Sequence, residues 1–419
     1  MAERAYVCID LKSFYASVEC VDRGLDPFCA NLVVADPSRG SGAICLAVSP
    51  AMKALGVSNR CRIFEIPKSI SYLTAMPRMK RYMEVSADIY SIYLKYISHE
   101  DIHVYSIDEC FIDVTTYLAL YSRTPKEMAV MLMDAVFSQT GIRATAGLGP
   151  NLFLAKVALD VTAKHAADHI GILDEAEFDR SIWRHRPITD IWNIGPGIAK
   201  RLEKYGVYDL HGVTCLEEGL LYREFGANAE YLMDHARGME PCTIKEIHEY
   251  KSKSNSLSNS QILFEDYSLD DAYLVLKEMV DTMVLELVDK RLVTNSISLS
   301  IGYSKNAVKS TGGTRKLKEY TNSFHKLMAY FNEFYHSTAQ GGYPIRRIGI
   351  GLNNVVEEAF ATFDFFTDLQ AERRERQMQD TILTIKKKYG RNAIVKGVSL
   401  EEKATARMRN KLIGGHNSE

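Results

Sequence analysis

The chain opens on a short apolar run, Ala5-Tyr6-Val7-Cys8-Ile9, that stops at Asp10. A run of that length bounded by a polar residue predicts a buried strand. Ser13 then stands where a helix cap would, ahead of Phe14, Tyr15, Val18 and Glu19. Apolar runs at 31–35 and 43–48 predict two more strands, and Pro50 fits the first turn of a helix ending near Gly56. Residues 57–77 show no period. Tyr82, Ile89, Tyr93 and Tyr96 recur at helical spacing within 79–97. Two apolar runs, 104–107 and 111–114, flank Asp108-Glu109-Cys110, which predicts a tight antiparallel hairpin with carboxylates at its tip. A helix is expected over about 125–139, a strand over 143–148 and a helix over 151–164. Strand, helix, hairpin, helix and strand in this order predict a sheet covered on one face by helices, an α+β arrangement.

From 166 to 240 the pattern changes to short helices with glycine turns, the clearest being Gly195-Pro196-Gly197 ahead of Lys200 and Arg201. Residues 251–261 are rich in serine and asparagine and read as a linker or an extended polar strand. Helices at 272–287 and 322–335 then alternate with strands at 296–301 and 345–352, a second small α/β unit. Residues 371–419 hold 12 Lys or Arg against 6 Asp or Glu and are helical over 371–388.

The 419 residues allow roughly three domains at about 150 residues each. With 46% hydrophobic and 25% charged residues, the chain is neither disordered, fibrous nor a disulfide-stapled miniprotein. A net charge of -2 leaves nucleic acid open as a partner, since local patches decide that. None of the 8 cysteines forms a C-x-x-C pair, which argues against a zinc ribbon. There is no signal peptide pattern and no long apolar span, so a reduced, cytoplasmic protein without a membrane association is expected.

Asp108 and Glu109 follow Asp10 by 98 and 99 residues. A first strand and a hairpin often lie side by side, and their carboxylates would then converge at one edge. Spacing alone leaves this reading level with a merely solvated turn. Convergent carboxylates without histidine suit Mg²⁺ rather than zinc. Two ions about 4 Å apart would activate a hydroxyl and stabilise a leaving phosphoryl group. Lys53 and Lys156 follow strands in positions from which a phosphate could be held, though most lysines are simply solvated. There is no P-loop motif. The Gly195-Pro196-Gly197 turn could present backbone N–H groups to a DNA phosphate.

The segments Asp10-Leu11-Lys12-Ser13-Phe14-Tyr15-Ala16-Ser17-Val18-Glu19 and Tyr105-Ser106-Ile107-Asp108-Glu109-Cys110-Phe111-Ile112-Asp113 resemble the two metal-binding motifs of Y-family lesion-bypass DNA polymerases. The likeness is greatest to the UmuC-like branch of Gram-positive bacteria and mobile elements, the ImpB/MucB/SamB family. It implies a multidomain right-hand DNA polymerase: a ferredoxin-like palm (1–24 and 78–165), small fingers (25–77), a helical thumb (166–240), an α/β little finger (241–358) and a tail (359–419). The activity implied is low-fidelity translesion synthesis in DNA repair, as part of a damage response. Asp10, Asp108 and Glu109 match the metal carboxylates, and the Leu11 carbonyl completes the second site. Two Mg²⁺ ions are implied, with Mn²⁺ as a substitute. Tyr15 matches the steric gate against ribose, Phe14 the aromatic beside the sugar, and Lys156 a triphosphate lysine. Ser106 sits beside the carboxylates. Gly195, Gly197, Lys200 and Arg201 would contact DNA.

Two departures stand out. Where many members carry a tyrosine and an arginine to clamp the triphosphate, this chain has Pro50 and Lys53, which keeps the charge but loses the bidentate fork. The family's clamp-binding peptide is matched by Thr362-Phe363-Asp364-Phe365-Phe366, with Phe363, Phe365 and Phe366 as candidate contacts. The implied partners are primer-template DNA, deoxynucleoside triphosphates, the sliding clamp and a processed UmuD-like protein. The rivals are a catalytically inactive DNA- and clamp-binding accessory protein and a palm-fold nucleotide cyclase.

Overall fold

The opening apolar run forms β1 (Tyr6–Leu11), buried on both faces except at Asp10. A strand buried on both sides needs cover above and below. The computed structural model describes residues 4–164, 166–252, 255–304, 308–363 and 367–419, and supplies that cover. After β1 come α1 (Phe14–Val21), β2 (Leu32–Val34), β3 (Ala47–Val48), α2 (Pro50–Ala54) and β4 (Leu73–Ala75). β2 pairs antiparallel with β3 and parallel with β4. β4 lies in the stretch whose sequence shows no period: it is three residues long with two of them exposed. The Ser49 hydroxyl accepts from the Met52 N–H and caps α2, and Pro50 occupies its first turn as expected.

The chain continues through α3 (Met79–Tyr93), β5 (Ile102–Val104), β6 (Glu109–Asp113), α4 (Thr115–Tyr121), α5 (Pro125–Thr140), β7 (Ala144–Gly149), α6 (Leu152–Val157) and β8 (Ile170–Ile172). The sheet order is β5-β6-β1-β7-β8, antiparallel except for β7 and β8. It therefore extends past residue 165 through a three-residue strand too short for its alternation to register. On one face Val7, Ile9, Leu11 and Ile112 pack against Phe14 and Val18 of α1, Tyr82 and Ile89 of α3, and Met128 and Leu132 of α5. Helix α5 is fixed locally by a Thr124/Glu127 capping box, Pro125 at its start and Gly141 in the left-handed region at its end.

The other face is covered as well, where the sequence pattern predicted one layer of helices. Tyr6, Cys8 and Phe111 pack against Leu152, Ala155 and Leu159. The reason lies in glycine. A Cβ on Gly147 would stand 2.1 Å from the Ala155 carbonyl oxygen, and one on Gly171 would stand 2.2 Å from that of Ala158. Only glycine lets α6, and the π-helical turn that follows it, lie this close to the strands.

Beyond the sheet, α7 (Glu175–Glu177), α8 (Pro196–Glu203), α9 (Leu210–Thr214), α10 (Glu218–Phe225) and α11 (Asn228–Ala236) enclose Phe178, Leu202, Leu210 and Leu221. Helix α12 (Ile244–Glu249) buries Ile244 in the layer with Phe111. The chain divides into two compact units, Met1–Lys251 with His416–Glu419, and Ser252–Gly415. In the first unit, the Ser418 carbonyl accepts from the Lys80 N–H at 3.0 Å.

The second unit contains β9 (Leu257–Tyr267), α13 (Leu269–Asp289), β10 (Leu292–Tyr303), β11 (Thr311–Thr321), α14 (Phe324–Thr338), β12 (Ile345–Asn353), β13 (Val356–Glu357) and α15 (Leu369–Tyr389). Its sheet is β11-β10-β12-β9, antiparallel throughout. Val275, Met279, Ile297, Leu299 and Phe331 form its core. β11 escapes sequence reading because Thr311-Gly312-Gly313-Thr314-Arg315-Lys316 is polar at every position. No helix among the described residues is long and apolar enough to cross a membrane.

Candidate active site

The site is built by strand register. Asp10 on β1 lies directly opposite Glu109 on β6, and the Leu11 N–H donates to the Asp108 carbonyl at 2.9 Å. Residues opposite one another in an antiparallel pair project to the same face. The hairpin expected from the two apolar runs is present, with 105–108 as its loop. The Ser106 hydroxyl donates to Asp108 Oδ1 at 2.6 Å and accepts from the Asp108 N–H at 3.3 Å, which fixes that carboxylate in the turn. Burial pushes the Asp10 carboxyl up to about 7, and the nearby Asp108 and Glu109 carboxylates push the same way.

Lys156 answers this repulsion. Its ammonium lies 2.7 Å from Glu109 Oε1 and 3.1 Å from Asp160 Oδ1. Burial pulls Lys156 down, but Asp160 and Glu109 outweigh it and hold the ammonium above its ordinary value. The Cys8 thiol donates to the same Glu109 oxygen at 3.1 Å. Lys156 is thus engaged by the Glu109 and Asp160 carboxylates. Among the described residues no three His, Cys, Asp or Glu side chains stand close enough together to hold a metal ion. The donor chemistry nevertheless fits a hard divalent cation: Asp10, Asp108 and Glu109 offer only oxygen, and their mutual repulsion is what such an ion relieves.

Beside the carboxylates, α1 starts at Phe14 after Ser13, which adopts a left-handed conformation and makes no side-chain cap, contrary to the expected role. Phe14 is 2% exposed and packs in the sheet core, its ring centroid 5.8 Å from that of Tyr15. Tyr15 is half-buried and lies flat on Tyr82. The Tyr82 hydroxyl donates to Glu19 Oε1 at 2.7 Å. Glu19 is fully buried and accepts from Arg78 at 2.9 and 3.0 Å. Sequence reading left Tyr82 as a helix-core aromatic and gave Glu19 no role; a carboxylate on an apolar helix face was the available signal.

Lys53 is exposed on α2, within electrostatic reach of Asp10 and Asp108. Pro50 opens α2 and serves its first turn. Among the helices beyond the sheet, Gly195 and Gly197 are exposed at the start of α8, as is Lys200 within it. Arg201 is turned inward instead: it donates to the Glu224 carbonyl at 2.6 Å and sits 4.4 Å from the Phe225 ring centre. Of the candidate clamp contacts, Phe363 is exposed, and Phe365 and Phe366 lie outside the described residues. The second unit adds a surface that sequence reading missed. Ser258, Ser260, Ser298, Ser300, Gly349 and Arg347 line one open area of its sheet. Alternation of serine with apolar residues over 296–301 of β10 was its signal.

Comparison with known proteins agrees with this architecture. The impB/mucB/samB family matches residues 9–160, and the impB/mucB/samB family C-terminal domain matches 254–365. UvrX of Bacillus subtilis (strain 168), whose name carries UV-damage repair, is 30% identical over 98% of this chain and 97% of its own. A DNA polymerase IV 2 of Halalkalibacterium halodurans is 29% identical over 99% of both chains. A DNA polymerase IV 2 of Bacillus subtilis (strain 168) is 28% identical with the same 99% coverage of each. The solved Y-family DNA polymerase chimera Dbh-Dpo4(243-245)-Dbh shares the fold, with a TM-score of 0.64 at 22% identity over 84% of this chain and 99% of that one. The fold is that of a multidomain α+β Y-family polymerase. The chain belongs to the impB/mucB/samB family.

Proposed function

We propose that the chain is a DNA-directed DNA polymerase that adds deoxynucleotides to a primer 3′-hydroxyl by two-metal phosphoryl transfer, and that it works across damaged templates. The single observation carrying this is the register that sets Asp10 against Glu109, with Asp108 in the adjoining turn. The names of the relatives, DNA polymerase IV and a UV-damage repair protein, support the same reading.

Asp10, Asp108, Glu109 and the Leu11 carbonyl would hold Mg²⁺, or Mn²⁺ in its place. A bound ion pair supplies a lowered pKa at the primer hydroxyl and charge neutralisation on the phosphates. Ser106 holds Asp108 for that task. Lys156 keeps Glu109 compensated until a cation arrives. Tyr15, braced from behind by Tyr82, stands where a sugar 2′-hydroxyl would collide. Lys53 faces the triphosphate as a point charge. The N–H groups at Gly195 and Gly197, with Lys200, meet the DNA backbone, and the exposed Phe363 supports docking of its peptide on a sliding clamp. Short fingers check the nascent pair loosely, which permits damaged templates at the expense of fidelity.

The test is primer extension with Mg²⁺ on undamaged and abasic templates, beside the Asp108→Ala, Glu109→Ala double variant. Extension by the wild type and none by the variant is the expected result. Equal extension by both would remove the assignment.

A further inference from the structure

The sheet edge that carries the carboxylates has a second half. β1 ends at Leu11, just before Lys12; β7 begins one residue after Arg143, and β8 begins one residue after His169. Since β1 is antiparallel to β7 and β7 is parallel to β8, these three points lie at the same end of the sheet as Glu109, the first residue of β6. Along the strand order, acids occupy one side of the edge and bases the other.

The bases are joined to one another. The Lys12 N–H donates to the Arg143 carbonyl at 2.9 Å, and Lys12 Nζ lies 3.2 Å from His169 Nδ1. An ammonium can only donate, so Nδ1 accepts and the remaining ring proton sits on Nε2. The Arg143 guanidinium is fixed between two rings, 5.2 Å from the centre of Phe28 and 4.8 Å from that of Phe137. Lys53 and Arg143 act against the Lys12 charge through space, and Asp10 acts in its favour.

Among the described residues no carboxylate makes a direct ion pair with Lys12, Lys53 or Arg143, although Asp10 acts on Lys12, and Asp10 and Asp108 on Lys53, from a distance. Lys156, by contrast, is taken by Glu109 and Asp160. Like charges gathered without a carboxylate in direct contact repel, and the distant carboxylates offset only part of that. A ligand carrying several negative charges relieves it, and charge-assisted hydrogen bonds would hold that ligand.

We propose that Lys12 and His169, with Lys53 facing them, form a binding element for the end of a polyphosphate: Lys12 Nζ and His169 Nε2–H take the terminal phosphate of an incoming nucleoside triphosphate, or inorganic pyrophosphate. The triphosphate part rests on the polymerase reading; the anion site itself does not.

Calorimetric titration of the full chain with inorganic tripolyphosphate, and separately with pyrophosphate, tests the site without DNA or turnover. Lys12→Ala and His169→Ala, each with a wild-type thermal melt, should weaken tripolyphosphate binding about tenfold, and Lys12→Arg should restore it. No binding by the wild type, or equal binding by wild type and variants, overturns the proposal. A second arm identifies the source. In primer extension, Lys12→Ala should raise the KM for a deoxynucleoside triphosphate about tenfold while the inhibition constant of the diphosphate stays within about twofold. An unchanged KM beside normal wild-type extension overturns the terminal-phosphate assignment. Wild-type protein that binds tripolyphosphate but never extends a primer upholds the anion site and overturns the polymerase reading with its triphosphate clause.

Discussion

The Tyr15 ring lies on the ring of Tyr82, with centroids 4.5 Å apart and planes 17° from parallel. Tyr82 is fully buried and tied by its hydroxyl to Glu19, so Tyr15 cannot retreat toward α3. Tyr15→Ala should raise ribonucleotide incorporation relative to deoxynucleotide by about tenfold or more, measured as a ratio of kcat/KM values. Tyr82→Phe keeps the stack and should keep the selectivity. Tyr82→Ala removes the backing and should relax it part of the way.

Carboxylate removal separates binding from chemistry. Asp108→Ala should lower Mg²⁺-dependent extension by at least about a hundredfold while leaving primer-template affinity within about twofold, because DNA is held mainly through its phosphates elsewhere. Mg²⁺ should raise the melting temperature of the wild type and not that of Asp10→Asn, a readout independent of turnover.

Glu19 is the charge on which the α1–α3 contact depends. Arg78 is also paired with Asp22 at 2.7 Å, and Arg81 joins Asp22 at 2.9 Å. Glu19→Ala would leave Arg78 with Asp22 as its remaining carboxylate and leave the Tyr82 hydroxyl buried without its acceptor. A buried hydroxyl left without its partner costs about 1–3 kcal/mol, which urea unfolding followed by tyrosine fluorescence would register. Arg81→Ala, at a more exposed pair, should cost about 1 kcal/mol or less.

Gly147→Ala places a methyl group inside the backbone of α6. The strain exceeds ordinary overpacking, so a loss of about 3 kcal/mol or more is expected, read as a lowered melting temperature. Gly197→Ala, where a Cβ meets nothing within 4 Å, should change stability little and serves as the control.

Asp209 gives the acid limb of stability. Burial pushes its carboxyl up, but the Gly212 N–H and the Arg186 guanidinium outweigh burial and hold it below the ordinary range. The bonds are 2.9 Å to Gly212 and 2.7 Å to Arg186. With the folded pKa depressed, the folded state binds fewer protons than the unfolded chain between the two values. The stabilisation is full above the unfolded pKa, about 3.9, and disappears as pH falls through the folded one. Asp209→Ala should cost about 1 kcal/mol at pH 7, with the difference from wild type shrinking toward pH 3 in denaturant unfolding.

The sequence by itself determined the local pieces. The capping box of α5, the proline start of α2 and the apolar runs of β1 and β6 are written in residues a few positions apart, and each governs its own segment. For the carboxylates, spacing alone left a metal site level with a solvated turn, and the resemblance of the two motifs pointed to the metal site. Tertiary structure decided which charges are spent and which are free. The pairing of Lys156 with Glu109 depends on a helix brought within reach by Gly147 and Gly171, which no local pattern announces. Lys12 looked like an ordinary residue after a strand, yet the parallel pairing of β7 with β8 sets His169 beside it. Burial and partnership depend on strand register between segments more than a hundred residues apart, and no local period encodes that register.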